Sequence, residues 1–350
     1  MKNTLKHIRL APLLAEEILK RIWSGRYPAG TRLASIRELR KEFPVGKHSL
    51  ESAVAMLACN GYLKRHAGRT PLIRMDRRSG VYRIAMCDFR MPERRTVRYE
   101  TSPRSWLFKD AVAQALRRRN CHCVSIGSPE ELQAVAPVVD GLIQFIFIDR
   151  PVPPICGFAA PVLTVKNTVE EPLTANTLYT ERDQALEKAA YYMISHGIRS
   201  LVSLQRGSDP LHNEREKHLR RILRNFGWSG NPVQTLATGE VMEKNAVGPL
   251  RAFLHKKPPL PLGVLAQGDL LARGAAGLAV EMGLRLKKDI VIIGCTGIPE
   301  AADWRPAVTS LTSPFQAMGK CAAEGILRLI AGEKELPPRI VHGQLLIRET

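Results

Sequence analysis

The stretch LLAEEILKRIWSGRYPAGTRLASIRELRKEFPVGKHSLESAVAMLACNGYL, residues 13–63, decides how the N-terminal part of this 350-residue chain folds. Leu10, Leu14, Ile18 and Ile22, with Leu13 and Trp23 alongside, recur at helical spacing and predict one apolar face. Gly25 stands where a left-handed residue closes a helix. Arg26-Tyr27-Pro28-Ala29-Gly30 is turn chemistry. Ser35, with Glu38 three residues on, predicts a capping box for a short second helix through about Glu42. Pro44-Val45-Gly46 breaks it. A third helix is predicted from about Lys47 to Asn60, with Leu50, Val54 and Leu57 inward and Gly61 at its end. Tyr62 to His66 reads as a strand, Ala67-Gly68-Arg69 as a tight tip, and Pro71-Leu72-Ile73 as the return. Helix, helix-turn-helix, hairpin is the order of an α+β winged helix-turn-helix, here over residues 1–73.

Charge follows the same division. The chain has 52 Lys+Arg against 33 Asp+Glu, a net +19. Residues 1–80 hold 17 of those basic residues and 6 of the acidic ones. The N-terminal part therefore carries over half of the surplus and points to a polyanionic partner. A third helix entering the major groove of duplex DNA leads with its N-terminus, so Lys47, His48 and Ser49 are the expected donors there. Arg37, early in the second helix, is set to grip the backbone. Arg65, His66 and Arg69 on the wing can reach the minor groove or phosphates.

Leu14-Ala15-Glu16-Glu17-Ile18, the run from Ile22 to Leu33, Ser35-Ile36-Arg37-Glu38-Leu39, Ala53 to Leu57 and Asn60-Gly61-Tyr62-Leu63 together resemble the GntR-type winged-helix domain. That resemblance implies DNA contact by Arg37 and by the start of the third helix. Three positions depart from the family's pattern. Ala34 replaces the usual Pro, and Gly46 and Glu51 stand where Ser or Thr and Arg are common. A glutamate facing phosphates repels them, so the family's usual operator need not apply.

Residues 74–80 are short and charged, end in Ser-Gly, and read as a linker. From Val81 the pattern changes to strands alternating with helices. Strands are predicted at 81–89, 122–126, 141–146, 161–165, 200–204, 233–235, 262–266 and 290–293. Helices are predicted at 106–119, 182–196, 214–226, 245–256, 269–282 and 314–331. Such alternation implies α/β architecture with parallel sheets covered on both faces. Val139-Asp140-Gly141-Leu142-Ile143, His196-Gly197-Ile198-Arg199-Ser200-Leu201, Glu214-Arg215, Gly268-Asp269-Leu270-Leu271-Ala272, Asp289 to Gly294 and Pro306 to Leu311 resemble, in order and spacing, the LacI/GalR-type ligand-binding domain. The resemblance covers residues 81–350. It implies a two-lobed, periplasmic-binding-protein-like fold, with lobes at 81–176 with 306–318 and at 177–305 with 319–350. It also implies a ligand cleft outside the carboxyl ends of the strands.

The implied ligand residues map onto this chain with changes. Arg215 matches an Arg that holds ligand hydroxyls or carboxylate, or is a surface helix arginine. Asp269 follows Gly268, which occupies the place of a ligand-contacting Asn, so Asp269 is a ligand residue or a helix N-cap. Thr296 stands where the family has an Asp that takes a pair of sugar hydroxyls, and threonine cannot copy that double acceptor. Trp106 can stack on a sugar face or pack in the core. The arginines of 90–104 read as solvated.

Seven cysteines, at 59, 87, 121, 123, 156, 295 and 321, show no zinc-site spacing. No Walker loop, nucleophile elbow or metal cluster points to an enzyme or a cofactor. No secretory leader and no run of about 20 apolar residues is visible, which predicts a cytoplasmic, nucleoid-associated protein without a membrane partner. The expected protein is a regulator, repressing more readily than activating. It would act as a homodimer on a double-stranded operator, with a sugar or sugar acid as effector. The alternative is a ligand-binding or protein-docking module without sequence-specific DNA binding.

Overall fold

The computed structural model describes residues 10–66, 68–74, 81–87, 103–146, 158–166, 172–207, 210–239 and 241–350. The expected linker lies almost wholly outside the described residues, as do the arginines ahead of Pro103.

The N-terminal head contains α1 (Leu10–Trp23), α2 (Ile36–Glu42), α3 (Lys47–Cys59) and the antiparallel hairpin β1 (Leu63–His66) and β2 (Arg69–Ile73). The inward stripe of α1 is Leu14, Ala15, Ile18, Leu19, Ile22 and Trp23. Leu10 and Leu13, expected on that face, are 51% and 45% exposed. The buried stripe follows i, i+4 steps from residues 14 and 15, and Leu13 falls off it. Burying each large side chain of the stripe contributes roughly 1.5–3 kcal/mol. Gly25 ends α1 at φ +75°. The capping box of α2 is present. Ser35 Oγ accepts from the Glu38 amide at 3.3 Å, and Glu38 Oε2 accepts from the Ser35 amide at 2.8 Å. The far end of α2 is fixed electrostatically: Glu42 accepts from Arg26 at 2.7 Å and also pairs with Arg21 and Tyr27. The Arg21 guanidinium lies 4.3 Å from the Phe43 ring centre. Leu50, Ala53, Val54 and Leu57 bury one side of α3. Arg32 bridges to Leu72 and donates to the Thr70 carbonyl at 2.6 Å, which ties the wing to the turn before α2.

The body continues with β3 (Arg83–Cys87), α4 (Pro103–Arg117), β4 (His122–Ile126), α5 (Pro129–Val135), β5 (Gly141–Ile146), β6 (Val162–Lys166) and β7 (Thr177–Glu181). Next come α6 (Asp183–Ser195), β8 (Ser200–Gln205), α7 (Pro210–Asn225), β9 (Gln234–Ala237), α8 (Glu243–Leu254), β10 (Leu262–Ala266) and α9 (Asp269–Glu281). β11 (Ile290–Gly294), β12 (Thr309–Thr312), α10 (Phe315–Ile330), β13 (Arg339–His342) and β14 (Gln344–Leu346) complete it.

Two six-stranded sheets result, ordered β13-β7-β6-β5-β3-β4 and β14-β12-β11-β10-β8-β9. The pairs β3–β4, β3–β5 and β5–β6 are parallel in the first, and β8–β9, β8–β10, β10–β11 and β11–β12 in the second. β3, β8, β10 and β11 are buried along their whole length, as strands covered on both faces must be.

The chain divides into two compact units, and the division corrects the expected lobes. Strand 309–312, assigned from sequence to the first lobe, belongs to the second sheet. There Thr309 and Ser310 pair with Ile293 and Gly294. Most of α10, assigned to the second lobe, groups with the first unit. Its Glu324 accepts from Arg119 at 2.8 Å, and beyond it the Leu336 amide donates to Asn176 Oδ1 at 2.8 Å. The head, expected as a separate domain, also groups with the first unit and shares an apolar core with it.

Replacing Ser35 with Ala removes the side-chain half of the capping box. The change is expected to cost about 1 kcal/mol of stability, read as a lower urea midpoint with an unchanged slope.

Candidate functional site

Two groups of residues stand out, one on the head and one at the carboxyl ends of the second sheet. On the head, Arg37, Lys47, His48, Arg65, His66 and Arg69 are all exposed, while Ser49 is half-buried. Lys47, His48 and Ser49 form the first turn of α3, and His66 faces Arg69 across the tip of the hairpin. Gly46 caps α3 without a side-chain hydrogen bond, so no side chain competes for the first-turn amides. Arg40, Lys41 and Lys64 add exposed cations on the same elements. One feature of this surface was not anticipated. Glu51, one turn after Lys47, places its carboxylate 3.7 Å from Lys47 Nζ. The i, i+4 spacing was the available signal. Glu51 therefore holds part of the charge that Lys47 would offer to a phosphate.

In the second unit, Arg215 lies in the second turn of α7, which begins at Pro210 rather than at residue 214. Its guanidinium donates to Gln267 Oε1. Gln267 is buried directly after β10, and its Nε2 donates to Ser203 Oγ at 3.4 Å. Sequence reasoning missed Gln267; its signal is a polar residue closing the apolar run Leu262 to Ala266. Arg215 also approaches the Cys295 thiol. Burial pushes that thiol up to about 11, against the pull of the Arg215 and Arg182 charges. Among the described residues, the hydrogen-bonding partners of Arg215 are thus uncharged.

Asp269 is the first residue of α9, and Gly268 is the N-cap. Its carboxylate turns to the loop after β11, accepting from the Thr296 amide at 3.2 Å and the Ile298 amide at 2.8 Å. Burial raises its pKa above the usual carboxylate value, although these amides favour the charged form. The fit is close: a Cβ on Gly294 would sit 2.3 Å from Asp269 Oδ1. Asp269 therefore anchors the loop that carries Thr296.

A Cβ on Gly268 would meet Val241 Cγ1 at 2.4 Å, with Thr296 Oγ1 at 4.0 Å. Val241 fills the space that a larger residue at 268 would need. Thr296 is half-buried, and the Ser313 amide donates to its carbonyl at 3.3 Å. The Ser313 hydroxyl is buried and has no hydrogen-bond partner among the described residues. Arg215, Gln267, Thr296 and Ser313 thus offer donors and hydroxyls around the strand ends of the second sheet. Trp106 lies in the first part of α4, and its side chain is outside the described residues. Among the described residues there is no group of three potential metal ligands, and no helix is long and apolar enough to cross a membrane.

Residues 12–73 match the family model of bacterial regulatory proteins of the gntR family, and residues 190–350 match that of the periplasmic binding protein-like domain. Over 120 residues the chain is 35% identical to the HTH-type transcriptional repressor PurR of Escherichia coli O139:H28, covering 34% of this chain and 35% of that protein. The chain thus spans about a third of the length of the curated relatives it matches. The fold is similar to that of a LacI family transcriptional regulator from Enterococcus faecium solved with bound ribose, with a TM-score of 0.59 and 18% identity over 76% of this chain and 97% of that one. It is similar also to a lac repressor dimer bound to operator and an anti-inducer, with a TM-score of 0.59 and 15% identity over 78% and 94%.

Replacing Asp269 with Asn puts an NH2 group against a backbone N–H and leaves an amide unsatisfied. The variant is expected to lose about 1–3 kcal/mol, seen as a lowered melting temperature of the full chain.

Proposed function

From a chain that joins a GntR-type domain to a periplasmic-binding-protein-like domain, we propose a ligand-responsive regulator that binds duplex DNA through its head and a small metabolite through its body. The observation that carries the DNA reading is the exposed cationic set Arg37, Lys47, His48, Arg65, His66 and Arg69, displayed on α2, α3 and the wing of a well-packed head. α3 enters the major groove with Lys47, His48 and Ser49 leading. Arg37 holds the backbone, and the wing reaches the adjacent groove. The protein acts as a homodimer on a two-fold operator in the cytoplasm, as a repressor and not as an enzyme. A coupling of about 1–3 kcal/mol between metabolite and operator is enough for regulation.

The metabolite is a sugar acid held at the strand ends of the second sheet. Thr296 cannot take two hydroxyls as a carboxylate does, so the site lacks the acceptor for a plain diol. Arg215 supplies a forked cation whose described hydrogen-bonding partners are uncharged, which suits a carboxylate ligand. Gln267, Thr296 and Ser313 address the hydroxyls.

The DNA reading is tested by titrating the full chain against a mixed-sequence duplex at several salt concentrations. Arg37→Ala and Lys47→Ala should each weaken binding and reduce the slope of log K against log salt by about 0.9. Glu51→Gln should do the opposite, because it releases Lys47. Unchanged affinity in all three variants would remove the head from the DNA. The effector reading is tested by thermal shift. Uronic and aldonic acids should raise the melting temperature of the wild type and leave Arg215→Ala unshifted, with DNA binding in their absence intact in both.

A further inference from the structure

The head is fastened to the first sheet through side chains, besides being joined to it by the chain. β4 is the edge strand of that sheet, and an edge strand presents amides with no strand to receive them. α1 lies along this edge. The Glu16 carboxylate accepts the Ser125 amide of β4. One turn later, Lys20 Nζ lies 3.1 Å from each oxygen of Glu131 on α5. Glu131 is held in turn by the Gly127 amide at 2.8 Å, and its own amide donates to Ser128 Oγ at 3.2 Å. Burial works against the Lys20 ammonium, yet Glu131 and Glu17 keep its pKa above the usual lysine value.

A third contact lies at the base of the wing. The Tyr62 hydroxyl meets His122 Nδ1 at the start of β4, with ring centres 4.7 Å apart. Between these polar contacts, Leu14, Leu19 and Trp23 of the head belong to the same apolar core as Val124, Ile126, Leu132 and Val135 of the body. The contacts use α1 and the root of β1, whereas the exposed cations sit on α2, the first turn of α3 and the tip of the wing. Docking and DNA contact therefore use different parts of the head.

We infer that the head is a fixed extension of the first sheet, seated on the β4–α5 edge by Glu16, Lys20 and Tyr62, so that the body sets the spacing at which a dimer reads its two half-sites. A head on a free tether tolerates many spacings, because adjusting a flexible connection costs little. A seated head accepts one, since any other spacing must first break the seat. The spacing consequence rests on the DNA-binding reading; the seat does not.

Two measurements on the full chain separate the two. The first is hydrogen exchange at the Ser125 amide without DNA. Exchange should be slow in the wild type and roughly tenfold or more faster in Glu16→Ala, as expected for the loss of a hydrogen bond to a charged group. Equal rates in both would overturn the seat. The second is selection of bound duplexes from a random pool. The wild type should recover paired half-sites at a single separation. Lys20→Glu, which sets a third carboxylate beside Glu17 and Glu131, should recover a spread. The double variant Lys20→Glu/Glu131→Lys should restore the single separation and shows that the chain still folds. A broad spread in the wild type, or a single separation retained in Lys20→Glu, would overturn the inference. Failure to recover any duplex would sink the DNA-binding reading instead, and the Ser125 exchange would then decide the seat by itself.

Discussion

The inward stripe of α1 is the feature on which the rest depends. Ile18 and Ile22 are fully buried among Leu39, Leu50 and Leu57, so the helix that carries Lys47 has its direction fixed by apolar packing. α1 also turns Glu16 and Lys20 toward β4 and α5. One fourteen-residue helix thereby orients the cationic surface and seats it on the body. Helices this short are marginal alone, and tertiary burial is what holds them.

Electrostatics are handled differently in the two halves. On the head Lys20, Arg21 and Arg26 are paired with Glu17, Glu42 and Glu131, whereas Arg37, Lys47, Arg65 and Arg69 are exposed. Glu51 opposes Lys47 at the leading turn of α3, and it trims the local charge without removing it. At the strand ends of the second sheet Asp269 is buried and Arg215 half-buried. Asp269 spends its carboxylate on backbone amides of the loop after β11, and Arg215 is held by the neutral Gln267.

Much of this was legible in the sequence. The capping box of Ser35 and Glu38 was visible because its spacing is fixed by helix geometry. Strands 141–146 and 262–266 were legible to the residue, because buried parallel strands are short apolar runs with sharp ends, and 122–126 was bounded as sharply. Short elements were not: α5, β7 and β12 to β14 are three to seven residues long and carry little periodicity. The exchange of 309–312 and α10 between the two units was hidden, since strand order depends on contacts far apart in sequence. The inward face of α1 was set one step off at Leu10 and Leu13, which mark the helical period but lie outside the core. The candidate DNA-facing residues could be named from charge and helix position, but the Lys47–Glu51 pair shows that exposure alone does not fix availability. At the strand ends, Gly268 signalled a lost side chain, whereas Val241 filling its place could be seen only in three dimensions. Glu16, Lys20 and Tyr62 look like ordinary head residues until β4 is placed beside them.

The function proposed for the head requires its cationic face to meet duplex DNA. Hydrogen exchange of the full chain with and without a mixed-sequence duplex at low salt tests it most directly. Slowed exchange is expected only at the start of α2, residues 46–51 and residues 64–69. Slowing that spares those segments, or that falls on the body alone, would contradict it.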